Sequence, residues 1–265
     1  MKTADTKLYT SVDTYFKGPD GMKNEVTMWY IAGGLLIQEL AIKKGYGPFG
    51  GLGAPNGNIT LSKPEILDVC SGPGNFLHHI QLVYPNFFGT CADLNPIFVE
   101  AGKELFRSWT WHLGDVTKIQ LGKKFDVITA SSAYHHIPDE GKGAFITNLV
   151  EHLHDDGFIL VCDNFLPNYT TESERVYAVD TYYQELINYY KAGNATKDSI
   201  DAIGEVYELE KSNVEEHKTS FKIFEKYLES AGLEIFQDVV VWQPDSLKPD
   251  NAGSHVMVVK KCKYN

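Results

Sequence analysis

Three aspartates of this chain each close a short apolar run: Asp68 in "ILDVCSGPGNF", Asp93 in "GTCADLNP" and Asp115 in "WHLGDVTKI". Ligands of open α/β sheets bind at the carboxyl ends of the strands. A carboxylate there can accept two hydrogen bonds from a ribose diol. Gly72 and Gly74 supply a tight turn through which backbone N–H groups approach a ligand, and Asp93 follows Gly74 by 19 positions. Asp115 can receive the exocyclic amine of an adenine, with the Val116 N–H reaching a ring nitrogen. Taken singly, each acid reads equally well as a helix cap or a loop residue. Their recurrence at three successive strand ends is what argues for a nucleoside-like ligand.

The loop disfavours two nucleotide classes, of which a nicotinamide oxidoreductase is the runner-up outside the nucleoside reading. A dinucleotide fingerprint has a third glycine that lets helix and strand pack closely, and Leu77 stands at that position. A nicotinamide oxidoreductase would also want a catalytic Tyr-x-x-x-Lys, which the chain lacks. A phosphate loop of the G-x-x-x-x-G-K-[ST] kind needs a lysine that is missing here.

A second group of reactive side chains lies in "SSAYHHIPD", just past the fourth predicted strand. His135 or His136 can deprotonate a hydroxyl or amine, because histidine titrates near neutral pH. Asp163, ending the fifth strand, either orients a substrate amine or caps a helix. His78 and His79 face solvent or sheet. No Cys/His zinc spacing occurs, and no metal site is expected. The four scattered cysteines read as reduced thiols of a cytoplasmic protein.

The elements that must position these groups follow from periodicity. Predicted strands are 66–69, 88–92, 110–113, 125–130 and 158–162, alternating with predicted helices at 76–83, 97–106 and 141–154. Asp139 is the expected N-cap of the third of these helices. Such alternation gives a parallel sheet covered on both faces. A further helix over 22–44 precedes a glycine-rich linker. Residues 171–230 read as helical, charged and tyrosine-rich. "LEIFQDVVVWQ" and "GSHVMVVKKC" then pair as a terminal antiparallel hairpin. The expected layout is an N-terminal helical segment and loop (1–62), a core (63–163), a helical lid over the site (164–232) and the hairpin completing the sheet (233–265). The fold class is α/β, a doubly wound, seven-stranded Rossmann-like sheet with a helical insertion. Tyr177, Tyr182, Tyr183, Tyr189 and Tyr190 either form a cation-binding pocket wall or pack the helix that carries them.

A net charge of −11 argues against a broad nucleic-acid or anionic-membrane surface. No apolar run approaches the roughly 20 residues that span a bilayer, and the first 21 residues lack the apolar stretch of a signal peptide.

"ILDVCSGPGNF", "GTCADLNP", "GDVTKI" and "KFDVITASSAYHHIPD" together resemble the ordered motifs of the class I S-adenosylmethionine (SAM)-dependent methyltransferases of small-molecule type. The resemblance covers residues 66–163 and the terminal hairpin. It implies SAM as cofactor, with Asp68 and the loop of Ser71, Gly72, Gly74 and Asn75 around its methionine end. It places Asp93 on the ribose, Asp115 and Val116 on the adenine, and Ser131 beneath the sulfonium. Cys70, Phe76, Leu94 and Asn95 complete the cofactor-binding set, and Cys70 stands where the family usually has glycine. Tyr15, with Tyr9 and Phe16, is expected to fold over the cofactor, as the leading helix does in relatives. His136 sits where members often carry a histidine that only braces the loop, so base and brace both stay open. The implied activity is methyl transfer to O, N or C of a small molecule by in-line displacement. Two other readings compete. Residues 190–243 are faintly similar to the carboxy-SAM synthases, which need a cationic side chain against the added carboxylate, and Arg175 is the only arginine in the insertion. A non-catalytic SAM- or nucleoside-binding protein is the other.

Overall fold

The computed structural model describes residues 23–43 and 63–262. Tyr9, Tyr15, Phe16 and nearly all of the glycine-rich linker lie outside them. The sheet has seven strands in the order β3-β2-β1-β4-β5-β7-β6: β1 (Glu65–Val69), β2 (Phe88–Asp93), β3 (Thr110–Leu113), β4 (Phe125–Ser131), β5 (Leu153–Phe165), β6 (Leu233–Trp242) and β7 (Gly253–Lys261). Strands β3 to β5 on that list are parallel to one another, and β7 runs antiparallel between β5 and β6. The sequence pattern places every core strand within a residue of its observed ends, except that β5 begins five residues earlier, directly after its helix, and ends three residues later.

The central strands are apolar on both faces because both faces are covered. One side carries α1 (Lys23–Lys43), α2 (Asn75–Val83) and α3 (Pro96–Leu105). There Met28, Leu36, Phe76, Leu77 and Ile80 pack against Ile66, Val127 and Val258. Leu77 is fully buried in that layer, which accounts for a side chain where a dinucleotide site would need none. On the other side α4 (Lys142–His152) and α7 (Phe221–Ser230) bring Phe145, Leu149, Phe224 and Leu228 onto Leu67, Ile128 and Met257. Thus α7 joins the core layer. The remaining helices, α5 (Glu172–Ala192) and α6 (Lys197–Lys211), form their own cluster of Tyr182, Tyr183, Trp242 and Leu247.

Helix starts follow local chemistry. Asn95 accepts from the Ile97 N–H ahead of Pro96, Thr171 and Glu174 form a reciprocal capping box, and Thr196 and Ser220 cap α6 and α7. Asp139 does not cap α4. It belongs to a short 3-10 turn (Asp139–Gly141), and the capping position falls on Gly141 with no side-chain bond. The insertion leaves and returns at one point: the Leu166 N–H donates to Thr219 O at 2.9 Å, and Leu166 pairs with Ser220 as an isolated parallel bridge.

Gly102 of α3 lies against the Trp111 ring, and a Cβ there would overlap the indole. Gly102→Ala is therefore expected to lower the unfolding free energy by about 1–3 kcal/mol, as overpacking does. Urea unfolding of the two proteins measures this.

Candidate active site

The glycine loop between β1 and α2 is shaped by its backbone. Gly72 (φ 52°) and Gly74 (φ 98°) are left-handed, and the Gly74 N–H closes the turn on Ser71 O at 3.0 Å. A Cβ on Gly74 would press on Trp111, Trp109 and Phe106. Cys70 is also left-handed, at φ 50°. A side chain in that region costs roughly 1–2 kcal/mol, a strain that glycine at this position would avoid. Ser71 anchors the loop to β2 by donating its N–H to Ala92 O at 3.2 Å. Asn75 opens α2, and Phe76 is buried beneath the loop.

Asp93 ties this loop to the end of β2. Its Oδ2 accepts the Gly72 N–H and its Oδ1 the Asn95 N–H, both at 2.8 Å. Burial pushes its carboxyl above the ordinary range, with those backbone donors pulling back. Each oxygen keeps a second lone pair for a hydroxyl donor.

Asp68 is buried at the end of β1. Thr129 Oγ1 donates to its Oδ1 at 2.6 Å, while Oδ2 is buried with no hydrogen-bond partner. Burial, with a smaller push from Asp93, raises its carboxyl from 3.8 to about 7. An unmatched buried acceptor of this kind fits a cationic ligand group such as a sulfonium or an ammonium. The Cys70 thiol is pushed up by burial and then by the fields of Asp93, Asp68, Asp163 and Asp115.

At the third strand end Asp115 accepts from the Thr117 N–H (2.9 Å) and hydroxyl (2.7 Å) and pairs with Lys118. Burial raises its carboxyl, but these partners outweigh it and leave it below the ordinary range. Val116 is buried, its carbonyl held by Asn148 Nδ2 at 2.8 Å. Leu94 is exposed beside this end, an apolar side chain free to cover a flat ring.

Past β4, Ser131 accepts the indole N–H of Trp29 at 3.0 Å, and Ser132 donates to Glu25 at 3.1 Å. Both partners come from α1. Burial raises the Glu25 carboxyl, partly offset by Ser132 and by the field of His136.

His135 is buried, with Nδ1 2.5 Å from Asp163 Oδ1. Asp163 also accepts the N–H of Tyr134 at 3.0 Å and of Asn164 at 2.7 Å. Of the two roles open to Asp163 from sequence, neither is what the geometry shows. It holds the imidazole and the turn after β4. Burial lowers the His135 pKa despite Asp163. The Asp163 carboxyl, raised by burial, is brought below its ordinary range by His135. A carboxylate can only accept, so Nδ1 is the nitrogen that donates to Asp163, and in the neutral ring Nε2 keeps its lone pair. The His135 carbonyl accepts the His217 N–H at 2.7 Å. His136 is partly exposed, its Nδ1 3.2 Å from Glu215 O.

Opposite the histidines stands Glu216, from the segment between α6 and α7. Its oxygens lie 3.8 Å from His135 Nε2 and 3.9 Å from His136 Nδ1. Burial opposes its ionisation, but Lys218, His136 and His135 together bring its carboxyl down to about 2. Lys218 is buried and bridges Glu216 (2.5 Å) and Glu210 (3.2 Å). Behind the turn, buried Lys142 donates to Tyr134 O and Ile137 O at 3.0 and 2.8 Å.

Sequence reasoning missed Glu25, Trp29, Glu216 and Lys218. Glu25 and Trp29 sit one turn apart at the start of α1, and that spacing was the available signal. Glu216 and Lys218 lie in "NVEEHKTS", where nothing local marks them. The tyrosines mostly pack the insertion: Tyr182 meets Trp242 edge-on at 5.4 Å, Tyr183 meets Tyr207 at 5.3 Å, and Tyr177 is exposed. His78 lies against Phe106. His79 is half-buried between α2 and α1, against Trp29 and Tyr30, rather than on the sheet. Arg175 is buried and spends its guanidinium on Glu172 and on the carbonyls of Glu210 and Lys211, so it offers nothing to an added carboxylate. Among the described residues no helix is long and apolar enough to cross a membrane.

Residues 66–157 match the family profile described as a methyltransferase domain. A curated relative, an uncharacterized methyltransferase of Staphylococcus carnosus (strain TM300), is 35% identical over 77 residues, which are 29% of this chain and 32% of that protein. The chain thus aligns with about a third of that relative's length. Among solved structures, an S-adenosylmethionine-dependent methyltransferase from Clostridium acetobutylicum ATCC 824 superposes with a TM-score of 0.54 at 14% identity, covering 88% of this chain and 92% of that one. Human N-acetylserotonin methyltransferase, solved in complex with SAM, gives 0.50 at 18% identity, covering 76% and 48%. At such identities the structures speak for the fold, while the profile and the curated relative speak for the domain. Residues 66–157 match a methyltransferase-domain profile and lie in a seven-stranded sheet whose fold is shared with those two methyltransferase structures.

Proposed function

We infer that this chain is an enzyme that moves a methyl group from SAM to an oxygen, nitrogen or carbon of a small molecule. The observation that carries the reading is that Asp68, Asp93 and Asp115 stand at the same ends of three adjacent strands, with Asp93 bonded to the glycine loop and a buried oxygen of Asp68 left unmatched. SAM, when bound, supplies an electrophilic methyl on a sulfonium. Asp93 accepts the ribose hydroxyls, and Asp115 with the Val116 N–H takes the adenine edge. The loop from Cys70 through Ser71, Gly72, Gly74 and Asn75 cradles the methionine end beside Asp68. Phe76 supports the loop, Leu94 and Asn95 flank the ribose, and Ser131, oriented by Trp29, lies beneath the reacting centre.

An already good nucleophile needs little acid-base help, so the protein's main contribution is to hold it in line and keep water out. His135 is fixed by Asp163 and braces the turn. His136, partly exposed, faces the acceptor side and acts on the proton that a hydroxyl or amine must lose.

Calorimetry with SAM, its demethylated product and NAD tests the cofactor, backed by mass spectrometry of any ligand carried through purification. SAM and its product are expected to bind and NAD not to. Asp93→Ala is expected to weaken SAM by about 1–3 kcal/mol, because it leaves the Gly72 and Asn95 N–H groups and the ribose hydroxyls unpaired. Unchanged affinity would remove Asp93 from the ribose.

A further inference from the structure

The facing groups of His135, His136 and Glu216 have a property that neither a brace nor a free base requires. One ligand atom from each lies within 4.8 Å of the others. Glu216 presents a different oxygen to each ring, Oε2 to His135 Nε2 at 3.8 Å and Oε1 to His136 Nδ1 at 3.9 Å, against the about 3.4 Å expected between donors at 2.0–2.1 Å around a tetrahedral ion, so ion binding requires a small rotation of the carboxylate and of the exposed His136 ring off the Glu215 carbonyl. We propose that His135 Nε2, a ring nitrogen of His136 and the Glu216 carboxylate bind one first-row transition-metal dication of the zinc class at the acceptor end of the site.

Three features support it. The Asp163–His135 pair fixes the tautomer that leaves Nε2 free to ligate, the outer carboxylate arrangement that metal-bound histidines ordinarily carry. Two imidazoles and one carboxylate suit zinc, iron or cobalt better than calcium or magnesium, which prefer all-oxygen sites. Lys218 opposes a cation, but it shares its charge between Glu216 and Glu210, and its bond to Glu216 holds the carboxylate in place. Glu216 and His135 are buried while His136 borders solvent, so the ion has two fixed ligands and one accessible side. That side is where an acceptor's oxygen would complete the coordination, which rests on the methyltransferase reading; the three ligands do not. With the ion bound, His136 would aid the acceptor's loss of a proton as a ligand of the ion that polarises the acceptor, and the turnover loss expected for His136→Ala is the same.

The test uses the full chain, stripped with chelator and titrated with zinc by calorimetry and with cobalt by visible absorption. One ion per chain is expected, with cobalt bands of four- or five-coordinate nitrogen–oxygen type. His136→Ala removes a partly exposed side chain and should fold; it should weaken both metals at least tenfold. Asp163→Asn should weaken them about 10–100-fold, with circular dichroism confirming its fold. Absence of stoichiometric binding, or equal affinity in the wild type and His136→Ala, overturns the site. SAM calorimetry on the same samples separates the readings: metal binding without SAM binding sinks the methyltransferase proposal and spares the metal site, and the reverse result sinks the site alone.

Discussion

Asp68→Asn is expected to give a protein that melts several degrees higher at pH 8 and binds SAM about 10–100-fold more weakly. The ordinary carboxyl at 3.8 is raised to about 7 by burial in the folded chain. A raised acid binds its proton more tightly folded than unfolded, so the wild type loses stability as pH climbs between those values, and the loss is complete above about 7. Asparagine keeps the acceptor for Thr129 and never ionises, so its advantage should be absent at pH 4, grow through pH 5 and 6, and level off above 7. The size is a few kcal/mol, since each pH interval between the two states is worth about 1.4 kcal/mol. The cost falls on the cofactor: the buried oxygen with no partner is the one a cationic ligand group would meet. Thermal melts from pH 4 to 8 with and without SAM read both halves. A wild type that is no less stable at pH 8 than the variant would show that Asp68 is not held near neutrality in the free protein.

His136→Ala is expected to reduce turnover by about 10²–10⁴-fold while leaving SAM affinity within a factor of two or three. The ring acts on the acceptor side, across from Glu216, and its bond to the Glu215 carbonyl is exposed. His135→Ala should behave differently. It strips Asp163 of its partner inside the core, and an uncompensated buried charge costs about 3–5 kcal/mol. Comparable losses in turnover and in SAM binding for His136→Ala would make that side chain a brace.

The sheet was legible because each core strand is a short apolar run bounded by turn residues, and because acids end three of them. Those features depend on neighbours within about ten residues. The acceptor side was not legible. His135 meets Asp163 and Glu216 across 28 and 81 positions, and "NVEEHKTS" reads as any solvated loop. The tyrosine-rich helix raised a genuine choice between pocket wall and packing, which only Trp242, from beyond the insertion, resolves in favour of packing for Tyr182. Cys70 was visible as an odd residue in the loop, yet its left-handed backbone was not, since nothing in the side chain announces it.

Because Leu166 is clipped to Thr219 and Ser220, the chain departs and re-enters through a single doorway. Whatever is strung between the two posts can be exchanged for another length of polypeptide without stretching a strand. On the proposed function, choice of acceptor and grip on the adenosyl donor are accordingly separate inheritances, free to diversify at different paces. Glu216 and Lys218, just inside the doorway, are the toll on that freedom: any replacement module must still deliver a carboxylate to the two imidazoles.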